Sequence, residues 1–83
     1  MEIILKENFS FVYLNSNIYS EKSIFKVIEE FEEFILISFN KIGKYFTIKL
    51  ELKTSDYTIN ELTFELINYL NGVEFEKIKE NGL

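Results

Sequence analysis

Residues 45–53, YFTIKLELK, alternate without a break: Phe46, Ile48, Leu50 and Leu52 share one parity, and Tyr45, Thr47, Lys49, Glu51 and Lys53 share the other. Successive side chains of a β-strand point to opposite faces, so this stretch is a strand with one apolar and one polar side. A helix could not gather those four apolar residues onto one stripe. The rest of the chain must therefore supply a layer that covers Phe46, Ile48, Leu50 and Leu52.

A second strand precedes it. FILISF, Phe34 to Phe39, is apolar at nearly every position, and NKIGK joins it to YFTIKLELK with Gly43 available for the positive φ of a tight hairpin turn. Near the N-terminus, Ile3 to Leu5 and Phe9 to Leu14 are β-prone on either side of KEN. They read as one bulged strand, with a small hairpin as the alternative. Two helices are marked by their N-terminal signals. In NIYSEKSIFKVIEEF, Ser20 is a cap, Tyr19 and Ile24 stand at staple positions, and Ile24, Val27, Ile28 and Phe31 form one stripe. In YTINEL, Thr58 and Glu61 form a capping box and Tyr57 can staple onto Leu62. Leu62, Leu66, Tyr69, Leu70 and Val73 continue that helix, with Ile78 beyond. It is predicted over residues 59–79, with Asn71-Gly72 as a place for a bend or break.

The predicted fold is α+β in the order β-α-β-β-α: a three-stranded mixed or antiparallel sheet with both helices on one face, in a single domain over residues 1–83. A split β-α-β unit places YFTIKLELK between the N-terminal strand and FILISF, the alternative being the N-terminal strand at an edge beside FILISF. Two helices cover one sheet face only. Either Phe34, Leu36 and Ser38 or Ile35, Ile37 and Phe39 then point to the open side. The N-terminal strand poses the same choice between Phe9, Phe11, Tyr13 and Ser10, Val12, Leu14. An apolar patch of that size marks an interaction surface in a soluble protein, and an outer strand can accept an added strand. Phe34, Ile35, Ile37, Phe39 and Tyr45 are accordingly candidate partner-binding residues.

Glu29, Glu30, Glu32 and Glu33 join that set. They crowd the C-terminal pole of the first helix, where each anion is unfavourable by about 0.3–1 kcal/mol. A solvated helix end is the plain account. A Lys- or Arg-rich partner would compensate them. Their spacing is unlike a calcium loop, so metal binding is weakly supported.

The residue types that are missing exclude much chemistry. The chain has no Cys and no His, which removes thiolate ligands, thiol nucleophiles and the commonest general base. All nine basic residues are Lys and the net charge is −5, so neither bidentate guanine contacts nor a phosphate backbone is favoured. No apolar run reaches the roughly 20 residues of a membrane span, and MEIILKENF lacks the features of a signal peptide. The expectation is a cytoplasmic, non-enzymatic protein without cofactor, metal, nucleic-acid or membrane partner.

Two stretches resemble a known family. LNSNIYSEKSIFKVIEEFEEFILISF, Leu14 to Phe39, is similar to the opening of the HxsD family of the His-Xaa-Ser system, through Ile18, Tyr19, Ile24, Phe31 and the strand Phe34 to Phe39. LTFELINYLNGVEFEKI, Leu62 to Ile78, resembles that family's C-terminal helix through Phe64, Leu66, Ile67, Asn68 and Tyr69. The chain departs in lacking the usual Arg after the Tyr and in carrying Asn71-Gly72. The resemblance implies a small accessory protein encoded beside radical SAM enzymes that modify a ribosomally made peptide. It has no catalytic residues to carry over, and its partner would be the precursor peptide or a radical SAM enzyme. A self-associating homodimer and an acidic antitoxin or inhibitor are the competing readings.

Overall fold

The computed structural model of the chain describes the backbone of residues 1–82 and the side chains of residues 1–76. Its elements are β1 (Glu2–Leu5), β2 (Phe9–Asn15), α1 (Glu21–Phe31), β3 (Ile35–Ile42), β4 (Tyr45–Leu52) and α2 (Ile59–Gly82). The fold is α+β, but the sheet has four strands in the order β1-β2-β4-β3, each pair of neighbours antiparallel. The N-terminal segment is thus a hairpin and not one bulged strand. The reason lies in its partner. β4 has eight residues and matches β2 over residues 9–15, so a single strand starting at residue 3 would leave its first turn-length of backbone unpaired. Folding back at Lys6–Phe9, closed by the Lys6 amide on the Phe9 carbonyl at 2.9 Å, gives those groups β2 as a partner instead.

β4 sits between β2 and β3, which run parallel to each other through the α1 crossover. This is the split β-α-β arrangement preferred from the sequence over the one with the N-terminal strand beside β3. The β3–β4 turn is Gly43-Lys44, with Gly43 at φ 58° and every described non-glycine residue, Lys44 included, without a positive φ. That is the pattern of a II′ turn, which matches the twist of the two strands. The turn also lengthens β3 to Ile42, three residues past the apolar run that announced it.

One sheet face is covered by both helices. Val12 and Leu14 of β2, Phe46, Ile48 and Leu50 of β4, and Ile35 of β3 are buried there against Ile24, Val27, Ile59, Leu62, Leu66 and Leu70. Ser20 caps α1 as expected, its Oγ accepting from the Ser23 amide at 3.2 Å. Glu74 of α2 reinforces that start: its Oε1 accepts from the Ser20 amide at 2.9 Å, setting a carboxylate at the positive pole of α1. The Thr58–Glu61 capping box is reciprocal, with amide-to-side-chain distances of 3.2 and 3.1 Å. A buried bond between Ser10 Oγ and Thr63 Oγ1, 2.8 Å, pins β2 to α2.

α2 is continuous through Asn71-Gly72. Asn71 is occupied in holding the two helices together, its Oδ1 accepting from the Tyr19 hydroxyl at 2.7 Å. A Cβ at Gly72 would meet nothing within 4 Å. Gly72→Ala is therefore expected to stabilise the fold by roughly 0.5–1 kcal/mol, read as a higher Tm in a thermal melt. Ile78 falls outside the described side chains.

Burial, and then the charge of Glu74, raise the Tyr19 hydroxyl above the usual tyrosine value. A group with a raised folded pKa contributes stability that is complete below its unfolded pKa, about 10 for tyrosine, and is lost as pH rises through the folded value. Denaturant melts above pH ~10 should show stability falling more steeply in the native chain than in Tyr19→Phe.

Candidate functional site: the open sheet face and the β3 edge

The uncovered face collects Ile4, Phe9, Phe11 and Tyr13 from the β1–β2 hairpin, Tyr45, Thr47, Lys49 and Glu51 from β4, and Leu36, Ser38, Asn40 and Ile42 from β3. The aromatic row of β2 is half-buried by its own neighbours. Phe9 and Phe11 meet edge to face at 5.7 Å, and Phe11 stacks on Tyr13 at 6.5 Å. Lys49 stands opposite Phe11 in the register, its Nζ 5.3 Å from the Phe9 centroid and 5.9 Å from that of Phe11. The same ammonium is 2.8 Å from the Glu51 carboxylate. A cation over a ring and an ion pair together tie down the middle of the face.

β3 is different. It is, like β1, an outer strand, paired with β4 on one side and with no strand on the other. The Lys53 amide donates to the Phe34 carbonyl at 2.9 Å, and the register runs from Ile35↔Leu52 to Ile42↔Tyr45. Hydrogen-bonded and non-bonded pairs alternate in an antiparallel ladder, so residues 36, 38, 40 and 42 bond to β4. The N–H and C=O groups of Ile35, Ile37, Phe39 and Lys41 face outward. Apolar groups flank that edge on both sides. Leu36 is 55% exposed and Ile42 66% on the open face. On the helix side Phe25 is 53% exposed and stands edge-on to Phe39 at 5.4 Å.

The residues predicted to bind a partner are divided by this geometry. Ile35, Ile37 and Phe39 are on the helix-covered face, so of the two sets left open by the sequence it is Leu36 and Ser38 that face the open side, and the three are corrected as side-chain contacts for a partner. Ile35 is 1% exposed, and Phe39 packs on Phe25 and Phe46. Their side chains are spent on the core, and only their main-chain groups reach the edge. Tyr45 is exposed on the open face. Phe34 turns to the end of the sheet, edge-on to Tyr57 at 5.6 Å. Phe25, Leu36 and Ile42 were not among the predicted residues. The signal for Phe25 was an aromatic off the Ile24-Val27-Ile28-Phe31 stripe of an amphipathic helix.

Glu29, Glu30, Glu32 and Glu33 are all exposed around the end of α1. Lys53 supplies the cation missing from the helix itself, donating from Nζ to the Glu32 carbonyl at 2.8 Å. This offsets part of the anionic crowding. Converting Glu29 and Glu33 to Lys is expected to leave stability unchanged or raise it by several tenths of a kcal/mol, as chemical denaturation would register; a clear loss would assign these carboxylates to the fold. Among the described residues no three carboxylates converge as a metal site, and no helix is long and apolar enough to cross a membrane.

Comparison with known proteins returns no matching family model, no matching curated protein and no matching solved structure.

Proposed function

We propose that this chain is a non-catalytic accessory protein that takes an extended segment of a protein partner along β3, adding it to the sheet as a further strand. The supporting observation is the free β3 edge, eight residues long. Outward main-chain groups at Ile35, Ile37, Phe39 and Lys41 provide affinity for any extended peptide. Leu36 and Ile42 on one side, and Phe25 on the other, provide seats for its alternating side chains. Natural edges are blunted by proline, bulges or several charges; β3 carries Lys41 as its only charge.

The HxsD resemblance supplies the setting: the partner is the precursor peptide or the radical SAM enzyme of a His-Xaa-Ser type maturation system. Cluster chemistry belongs to that enzyme, since a chain without cysteine offers no thiolate for iron–sulfur ligation. The test is hydrogen exchange by NMR, with the precursor peptide and the radical SAM protein encoded beside this chain added separately. Binding at the edge slows exchange at Ile35, Ile37, Phe39 and Lys41. Binding of neither, or protection confined to other amides, overturns the reading.

Self-association uses the same feature, because a free strand edge can pair antiparallel with its own copy about a two-fold axis. Light scattering at micromolar concentration separates the two: a strict monomer removes the homodimer and leaves the peptide-binding reading standing.

A further inference from the structure

A groove of about 610 Å³ opens at the end of the sheet, between the last turn of α1, the start of β3 and the first turns of α2. Its floor and walls are rings and aliphatic carbons: Phe31, Phe34, Tyr57, Leu62 and Phe64. Tyr57 is 43% exposed and Phe64 50%, although each has apolar neighbours within reach. Its polar lining includes two carboxylates, Glu61 and Glu65, one helical turn apart on α2. Glu61 uses Oε1 for the Thr58 hydroxyl and amide. Glu65 has no hydrogen bond or ion pair among the described residues.

The charged side chains that line this groove are both acidic. No lysine lines it. The exposed Glu29, Glu30, Glu32 and Glu33 flank Phe31 and Phe34 in the chain, and Lys53, which reaches that helix end, is engaged with the Glu32 carbonyl. Glu61 is held by its capping box, but Glu65 stands one turn from it as a like charge, and four more carboxylates lie where the dipole of α1 disfavours them, each a repulsive cost in the free protein. A ligand that brings positive charge removes that cost on binding, and exposed rings beside carboxylates are suited to lysine or arginine side chains.

We propose that this groove binds a basic segment of a partner protein, with one apolar side chain seated among Phe31, Phe34 and Phe64 and an adjacent lysine or arginine paired with Glu65 and lying over the Tyr57 or Phe64 ring. The site is built from side chains of both helices, whereas the β3 edge offers main chain, so the two surfaces are separable.

The probe is a short fluorescein-labelled synthetic peptide with leucine and lysine at helical spacing, and a counterpart with glutamate in place of lysine. Anisotropy titration of the full chain at low salt should show binding of the lysine peptide and none of the glutamate peptide. Glu65→Lys and Phe64→Ala should each weaken binding about tenfold or more, as expected for loss of a central charge pair or anchor seat. Asn60→Arg, which adds a cation to the lining without touching the core, should do the same. Glu2→Lys alters net charge by as much as Glu65→Lys and should change affinity by less than about twofold. No binding of the lysine peptide overturns the proposal. So does an equal loss in Glu2→Lys and Glu65→Lys, which would mean diffuse attraction to an acidic protein, or full retention of binding in Phe64→Ala.

Discussion

Replacing Leu50 by alanine is expected to destabilise the protein by about 2–5 kcal/mol, the range for a leucine truncated in a packed core. Leu50 is fully buried at the centre of β4, the strand that holds the sheet together, opposite Ser10 of β2 and Ile37 of β3. Its surroundings are tied by register on two sides, which limits how far they can collapse into the void. A chain of this length has a net stability of roughly 4–12 kcal/mol at typical values per residue, so the substitution removes much of the total. The measurements are a urea melt for the free-energy loss and a thermal melt, both followed by circular dichroism, the second with an expected fall in Tm on the order of 10 °C or more. A change under about 1 kcal/mol would show that β4 does not lie at the middle of the core.

The second large effect concerns binding. Leu36→Asp with Ile42→Asp is expected to leave the fold within about 1 kcal/mol of the native chain, because both side chains stand largely in water. It should nevertheless reduce partner affinity by about a hundredfold or abolish it, since an incoming strand would meet carboxylates where apolar seats had been. Phe39→Asp gives the contrasting result. Its ring packs between Phe25 and Phe46 on the covered face, and an unpaired carboxylate there should unfold a large fraction of the protein. Circular dichroism and a pull-down on the same samples separate the cases. Undiminished capture of the partner by the Leu36/Ile42 double variant would place its binding surface elsewhere.

The parts of this fold that were legible from sequence are those in which one pattern had a single physical solution. β4 alternates strictly, so the covered set of Phe46, Ile48 and Leu50 and the polar set of Thr47, Lys49 and Glu51 were separable before any geometry. Ser20, Thr58 and Glu61 signalled the helix starts because few other residue types satisfy free amides there. β3 had no such asymmetry. Both its parities are apolar in residues 34–37, and the choice of Ile35, Ile37 and Phe39 for the core depends on where α1 lands. The N-terminal hairpin stood only as the alternative to one bulged strand for a related reason: Lys6, Glu7 and Asn8 carry neither glycine nor proline to mark a turn. The groove between Phe31, Phe34 and Phe64 joins residues from both helices and the connection into β3, and linear spacing does not report such a meeting.

The position of β4 has a kinetic consequence. The chain makes two antiparallel hairpins, β1–β2 and β3–β4, each closed by a short turn, and such units assemble in microseconds. Joining the hairpins needs a long-range event, the zipping of β4 onto β2, which registers residues as far apart as Phe9 and Glu51, and α2 docks across comparable separations through Ser10–Thr63 and Tyr19–Asn71. Until it occurs, β2 and β4 each present an unsatisfied row of amides, and the core lacks a floor. Sequence separation at these long-range contacts, more than helix formation, should therefore set the refolding rate.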